Sequence, residues 1–342
     1  MKGKEDIKGQ SADGEQLLDK LLKQEEWNAE PVWERCVADI KRIEARKAQG
    51  KRRWIWSSGI AASVAIALFA VTFFLFNSPP YSETDSHVRL VRGGKTVLVH
   101  SDLQSINGGK IDNDTLTEYN HSVVGELAQD LEVHVPFGKR FCTILNDGTS
   151  VTLNGGTVFH YQSKFGGNER RVRLAKGQAF FEVAHNPKKP FVVEVEDSEI
   201  KVLGTSFDIK DYAEQGEIVT TLVLGKIKVK NGDSEVEISP SEQAVIRKGE
   251  KVIQIDSVDV APHVAWLRGR ILAKPLTVKE VFLQLERLHG YRFDYAKAKN
   301  CMDIQIIATF DKQDSIEDIL EVISRMADFQ YAFSGNTIKV YR

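Results

Sequence analysis

The chain has 342 residues, 42% apolar and 27% charged, so most of it folds, and a length of ~150 residues per domain divides it into two or three units. Its 46 basic and 48 acidic side chains leave a formal charge of −2, too little for a field that grips nucleic acid. Cys36, Cys142 and Cys301 form no CxxC pair and share no ligand spacing with the eight histidines, which argues against a zinc site.

Residues 1–12 are polar. Leu17, Leu18, Leu21 and Leu22 then fall on one side of a short helix starting near Asp13. A second helix begins near Pro31, where Trp33, Cys36, Val37, Ile40 and Ile43 recur at helical spacing. Two such helices cannot bury both apolar stripes against each other. Residues 1–53 therefore hold a partner or lie among lipid headgroups, for which Arg46, Lys47, Lys51, Arg52 and Arg53 serve equally well.

No charged side chain occurs between residues 54 and 82, and 54–76 (WIWSSGIAASVAIALFAVTFFLF) is 23 residues long. At ~1.5 Å per residue this run spans a hydrocarbon layer of ~30 Å, and it predicts a transmembrane helix. It follows 53 residues and no cleavage site closes it, so it is not a signal peptide. Basic residues precede it, whereas Glu83 and Asp85 follow. That asymmetry places the N-terminus in the cytoplasm and exports the rest.

The exported part changes to a two-residue period with Gly, Asn and Asp turns, giving a linker and first β unit at 77–130 and a mainly-β domain at 131–262. Short strands are expected at 158–161, 171–174, 179–183, 191–195, 200–203, 207–209, 219–224, 227–230 and 236–238, stacked as a β-sandwich or β-roll. Residues 263–342 read as βαββαββ. One helix is opened by the capping box of Thr277 and Glu280, the other by Ser315 and Asp318. Cys142 and Cys301 fall in separate units and are expected as buried thiols, not a bridge.

Eight ordered segments carry a likeness: VPFGKRF (135–141), LNDGTSVTLNGGTVFHY (145–161), RRVRLAKGQAFFEVAHNPKKPFVVEV (170–195), VLGTSFDI (202–209), AWLRGRILAKPLTVKEVFLQLERLHGY (265–291), and then IIATF, IEDILEVI and GNTIKVY. They resemble the FecR-type, iron-dicitrate-sensor-like anti-sigma regulators, whose C-terminal module is similar to the short N-terminal domain of secretins and TonB-dependent receptors. The resemblance implies a membrane-anchored multidomain protein of the inner membrane with its C-terminus in the periplasm. An extracytoplasmic-function sigma factor would bind the cytoplasmic helices, with Leu17, Leu21, Trp33, Val37 and Ile40 as anchors. The signalling domain of a TonB-dependent outer-membrane receptor would dock on the C-terminal module. Edge strands accept β-addition, which nominates Ile304, Ile306 and Ala308 on one strand and Thr337, Lys339 and Tyr341 on another. Coupling across a single span would involve an intramembrane or periplasmic protease. No cofactor is implied.

Some members of that family are described as cleaving themselves before a Thr. Gly204-Thr205 matches that pattern, with the Thr205 hydroxyl as nucleophile in a strained turn, against the alternative of an ordinary Gly turn. Asp147-Gly148-Thr149 reads as a hairpin turn, because no second copy exists to form a protease dyad. Trp266 reads as packing between the two exported units. The rivals to the regulator are an envelope scaffold anchored by one helix and a self-cleaving periplasmic domain.

Overall fold

The computed structural model describes residues 87–92, 95–99, 111–112, 115–120 and 130–342, all within one compact unit. The expected cytoplasmic helices, with Leu17, Leu21, Trp33, Val37 and Ile40, and the expected span at 54–76 lie outside these residues. No helix among the described residues is long and apolar enough to cross a membrane.

The first domain runs through β1 (Val88–Arg92), β2 (Lys95–Val99), β3 (Ile111–Asp112), β4 (Thr115–Asn120), β5 (Asp130–His134), β6 (Arg140–Ile144), β7 (Ser150–Leu153), β8 (Val158–Gln162), β9 (Arg170–Glu182) and β10 (Phe191–Val195). It continues with β11 (Ser198–Val202), β12 (Ser206–Asp211), β13 (Glu217–Leu224), β14 (Ile227–Asn231), β15 (Ser234–Ile238), β16 (Glu242–Arg247) and β17 (Gln254–Ser257). One sheet has the order β2-β1-β5-β8-β9-β10-β11-β14-β15. The other has β3-β4-β6-β7-β9-β12-β13-β16-β17. Neighbours are antiparallel except β9 with β10 and β4 with β6.

Both sheets share β9, which makes the domain a sandwich closed along one strand. Arg170–Arg173 of β9 pair with β10 in the first sheet, and Gly177–Glu182 pair with β12 in the second. The strand turns the corner at Gly177, whose φ of +107 and whose contact with Thr157 leave no room for a side chain. Segments 171–174 and 179–183, expected as two strands, are therefore one bent strand. The expected first β unit does not stand apart either: β1 pairs with β5 and β4 with β6.

Alternation decides the faces. In β5, Leu131 and Val133 point into the core while Glu132 and His134 point out. Between the sheets the rings of Phe181 and Phe207 stack at 5.0 Å, with Phe159 against Phe181 at 6.0 Å. Strands β12 and β13 are buried on both faces, so something covers the outside of the second sheet. The cover includes the joint between the domains, where Val260, Ala261, Val264, Ala265 and Trp266 are all buried.

The second domain follows as β18 (Arg270–Thr277), α1 (Val278–His289), β19 (Arg292–Lys297), β20 (Gln305–Asp311), α2 (Ile316–Ala327), β21 (Gln330–Ser334) and β22 (Thr337–Tyr341). This is the βαββαββ order read from the sequence. Thr277 and Glu280 form the capping box of α1, and the Ser315 hydroxyl accepts from the Asp318 N–H at the start of α2. Phe282, Leu285, Ile319, Leu320, Ile323, Ile338 and Val340 build a core separate from that of the sandwich. Strand β18 pairs with β20, and β22 lies between β19 and β21.

That arrangement corrects the nominated docking strands. Strand β22, carrying Thr337, Lys339 and Tyr341, is central, and both of its backbone edges are already paired. Strand β20 is an edge, but Ile306 is buried and Ile304 and Ala308 pack against the core, whereas Ile307 is 59% exposed. The side chains presented outward are one residue out of phase with the nominated ones.

Candidate functional site

The richest cluster of buried polar groups lies where the two domains meet. Asp208 on the outer face of β12 is 2% exposed. Its carboxylate accepts from the Trp266 indole N–H at 3.0 Å and from the Gln178 amide at 3.0 Å, and Gln178 in turn accepts from Asn154 at 3.0 Å. Burial pushes Asp208 up to about 7, against those two donors and nearby Lys210, all of which favour the charged form. Burial likewise lowers Lys210, assisted by Arg287. His263 is held down to about 4, first by burial and then by Lys210.

Arg287, near the C-terminal end of α1, is 4% exposed. Its guanidinium lies 3.6 Å from the centre of the Tyr212 ring and pairs with Glu214 at 2.9 Å. Its carbonyl, one of the last in α1, accepts from the Gly138 N–H of the sandwich at 2.9 Å, so one domain completes a helix end of the other. Arg140 donates to the carbonyls of Trp266, at 2.9 Å, and Leu267. Arg292 lies 4.0 Å from the centre of the Phe137 ring.

Backbones touch here. A Cβ at Gly155 would lie 2.6 Å from the Arg287 oxygen, and one at Gly138 would lie 3.0 Å from Gly290. Beside these contacts is a cavity of about 110 Å³ lined by residues that include Lys210, Gln215, His263, Gln284 and Arg287. The buried atoms Arg287 Nε and Gln215 Oε1 find no hydrogen-bond partner among the described residues.

The other sequence-stated positions fall elsewhere. Asp147, Gly148 and Thr149 form the expected turn, with Thr149 N and Oγ1 both donating to the Asp147 carboxylate. The turn is tied down by Arg170, 1% exposed and 2.7 Å from Asp147, a buried partner that periodicity did not reveal. Gly204 and Thr205 link β11 to β12. Neither has a left-handed φ, so the strained turn is not present. Gly204 is small because a Cβ there would meet His185 at 2.6 Å, and the buried Thr205 hydroxyl donates to the Lys226 carbonyl at 3.1 Å. Cys142 is half-buried and Cys301 buried, and neither is in a disulfide.

A wider open groove of about 690 Å³ crosses the outer face of the first sheet by residues 166–169. Its Arg171 is already held by Glu169, Glu194 and Glu199 at 2.6 to 2.8 Å, the pattern of a solvated charge ladder. Among the described residues no group of three His, Cys, Asp or Glu is placed to hold a metal ion.

Asp208, Arg140 and Arg287 were not singled out from the sequence, though a signal was present. The segments 135–141, 145–161, 202–209 and 265–291 supply Gly138 and Arg140, Gly155, Asp208, and Trp266 and Arg287. Four motifs far apart in the chain meet in one seam.

The structure is a two-sheet sandwich joined by a buried polar seam to a βαββαββ module. The family models agree in order and position, with FecR protein matching residues 132–228 and FecR, C-terminal matching 274–340. Two crystal structures described as a candidate anti-sigma factor from Parabacteroides distasonis ATCC 8503 are similar, each with 29% identity. One covers 62% of this chain and 98% of its own at a TM-score of 0.55, the other 63% and 99% at 0.56. Comparison with curated proteins finds no match. Residues 132–228 and 274–340 thus match the two domain models of the FecR family, and the chain is similar to a FecR-type anti-sigma factor.

Proposed function

We propose that the protein is a single-pass inner-membrane regulator that relays a periplasmic contact to an extracytoplasmic-function sigma factor. The observation that carries this reading is the order of parts: the FecR and FecR C-terminal domains both follow a 23-residue uncharged run, and a 53-residue tail with two apolar stripes precedes it. The tail is the sigma-binding part, through Leu17, Leu21, Trp33, Val37 and Ile40. The C-terminal module receives the signalling domain of a TonB-dependent outer-membrane receptor. Strand β20, paired only with β18 and exposing Ile307, and strand β21, exposing Phe333, offer backbone edges and apolar side chains for β-addition.

In this reading the main role is not enzymatic. The Thr205 hydroxyl serves the turn by binding Lys226, and a protease, not the chain itself, makes any cut that coupling needs. The test is co-purification of the full-length protein with the extracytoplasmic-function sigma factors of its own cell. Wild type is expected to retain the sigma factor, and a double substitution Trp33→Ala, Ile40→Ala is expected to reduce retention at least tenfold. Equal retention by both, or none by wild type, would refute the sigma-binding assignment.

A further inference from the structure

We infer that the seam between the sandwich and the C-terminal module is a releasable latch pinned by Arg287, and that its opening is the conformational change the exported half makes. Three features of the seam point to this.

First, the two cores are closed independently. The apolar cluster of the sandwich draws on residues 88–246 and that of the module on residues 271–340, with no member in common. Separating the domains therefore leaves each core intact. An interface meant to stay shut would merge the cores through apolar side chains, as obligate interfaces do.

Second, the seam is specific, because two close backbone approaches and several directed bonds fix one orientation. Gly138 and Gly155 meet α1 at distances that no other residue allows without displacement. Gly138 donates to the Arg287 carbonyl, Arg287 lies on Tyr212 beside Glu214, Arg140 holds the joint through the Trp266 carbonyl, and Trp266 reaches Asp208.

Third, beside the apolar residues of the joint, the seam carries many groups that water satisfies well once exposed. Arg140, Arg287, Arg292, Asp208 and Glu214 are all charged types, and the Gly138 N–H and Arg287 carbonyl can each bond water. Arg287 Nε and Gln215 Oε1 are buried with no hydrogen-bond partner among the described residues, beside the 110 Å³ cavity. Lys210, on the wall of the same cavity, is disfavoured in its charged form there by burial and by Arg287. Opening relieves these costs, which brings the closed and open forms nearer in free energy. Arg287 is the pin because it bonds from α1 to the sandwich with both main chain and side chain.

The joint links this motion to the sheet. Trp266 is bonded to Asp208 on β12, and β12 begins one residue after Thr205. A partner that pulls the module away withdraws the side chain that covers this part of the second sheet. The consequence for transcription rests on the regulator reading above, whereas the latch itself does not.

The experiment is hydrogen–deuterium exchange on the full-length protein in wild type, Arg287→Ala and Gly155→Val. The first substitution removes the pin from the module side, and the second drives a side chain into the Arg287 carbonyl from the sandwich side. Both variants are expected to exchange at least tenfold faster in the peptides covering 137–141 and 261–269, while β9, β12, α1 residues 278–285 and α2 keep wild-type protection. Unchanged exchange at the seam in both variants would overturn the latch. So would loss of protection in the cores of both domains, since it would make the seam part of one folding unit. With a sigma-dependent reporter, the variants are expected to shift output at least threefold without any inducing stimulus. Faster seam exchange with unaltered output would remove the latch from signalling. A chain that binds no sigma factor would fail the co-purification and still give a decisive exchange result.

Discussion

Asp208 shows how one residue reports on its surroundings. Burial raises its pKa to about 7, so the folded protein holds a proton that the unfolded chain releases near its ordinary value of about 4. The proton-binding excess lies with the folded state, and stability falls as pH rises through that window. His263 has the opposite sign. Its folded value is about 4, so the unfolded chain takes up a proton first and stability is lost as pH falls from about 6.5 toward 4. His160 and His289 are also lowered by burial and share that sign. Between about 6.5 and 7 the Asp208 effect stands with least opposition. Thermal melting of wild type is therefore expected to decline from pH 6.5 to about 7.5, and Asp208→Asn to flatten the decline. An undiminished slope in that variant would assign the titration to another group. None of this was visible in the residue string, because Asp208 alternates in β12 as an outward, solvated position would.

At the scale of the element, legibility followed the number of solvated faces. Strands with one polar face, such as β5 and β14, alternate plainly, and the two helices of the module announce themselves through Thr277, Glu280 and Ser315. Strand β9 reads as two because Gly177 looks like a break, whereas it is the corner that lets one strand serve two sheets. Replacing Gly177 with Ala puts a Cβ 2.5 Å from the Thr157 backbone at a φ of +107. The expected cost is about 3 kcal/mol or more in urea denaturation. Gly166→Ala, with nothing within 4 Å of the new Cβ, should change stability by no more than about 0.5 kcal/mol. Equal costs at the two sites would show that the corner is not strained by a side chain. The docking strands failed for another reason: period-2 alternation assigns a strand's faces only once its register is known, and nothing local says that β22 is central.

For the whole molecule, the proposed relay needs a wall between the tail and the sensor domains. Protease added to intact spheroplasts is expected to digest the body from about residue 87 onward and to spare the N-terminal tail. Digestion of the tail with an intact body would reverse the orientation and remove the sigma-binding role from residues 1–53.

Sequence alone was enough for a β domain followed by the βαββαββ module with its helix caps, the Asp147-Gly148-Thr149 turn and the likeness to one family. These are local properties, set by period, capping chemistry and motifs read within about 25 residues. The seam was decided only by tertiary structure. Its contacts join residues far apart in the chain: Trp266 with Asp208 across 58 positions, Arg287 with Glu214 across 73, and Arg140 with Trp266 across 126. Which buried polar groups become partners depends on how two finished surfaces meet, and that information is carried by packing and not by any short stretch of the chain.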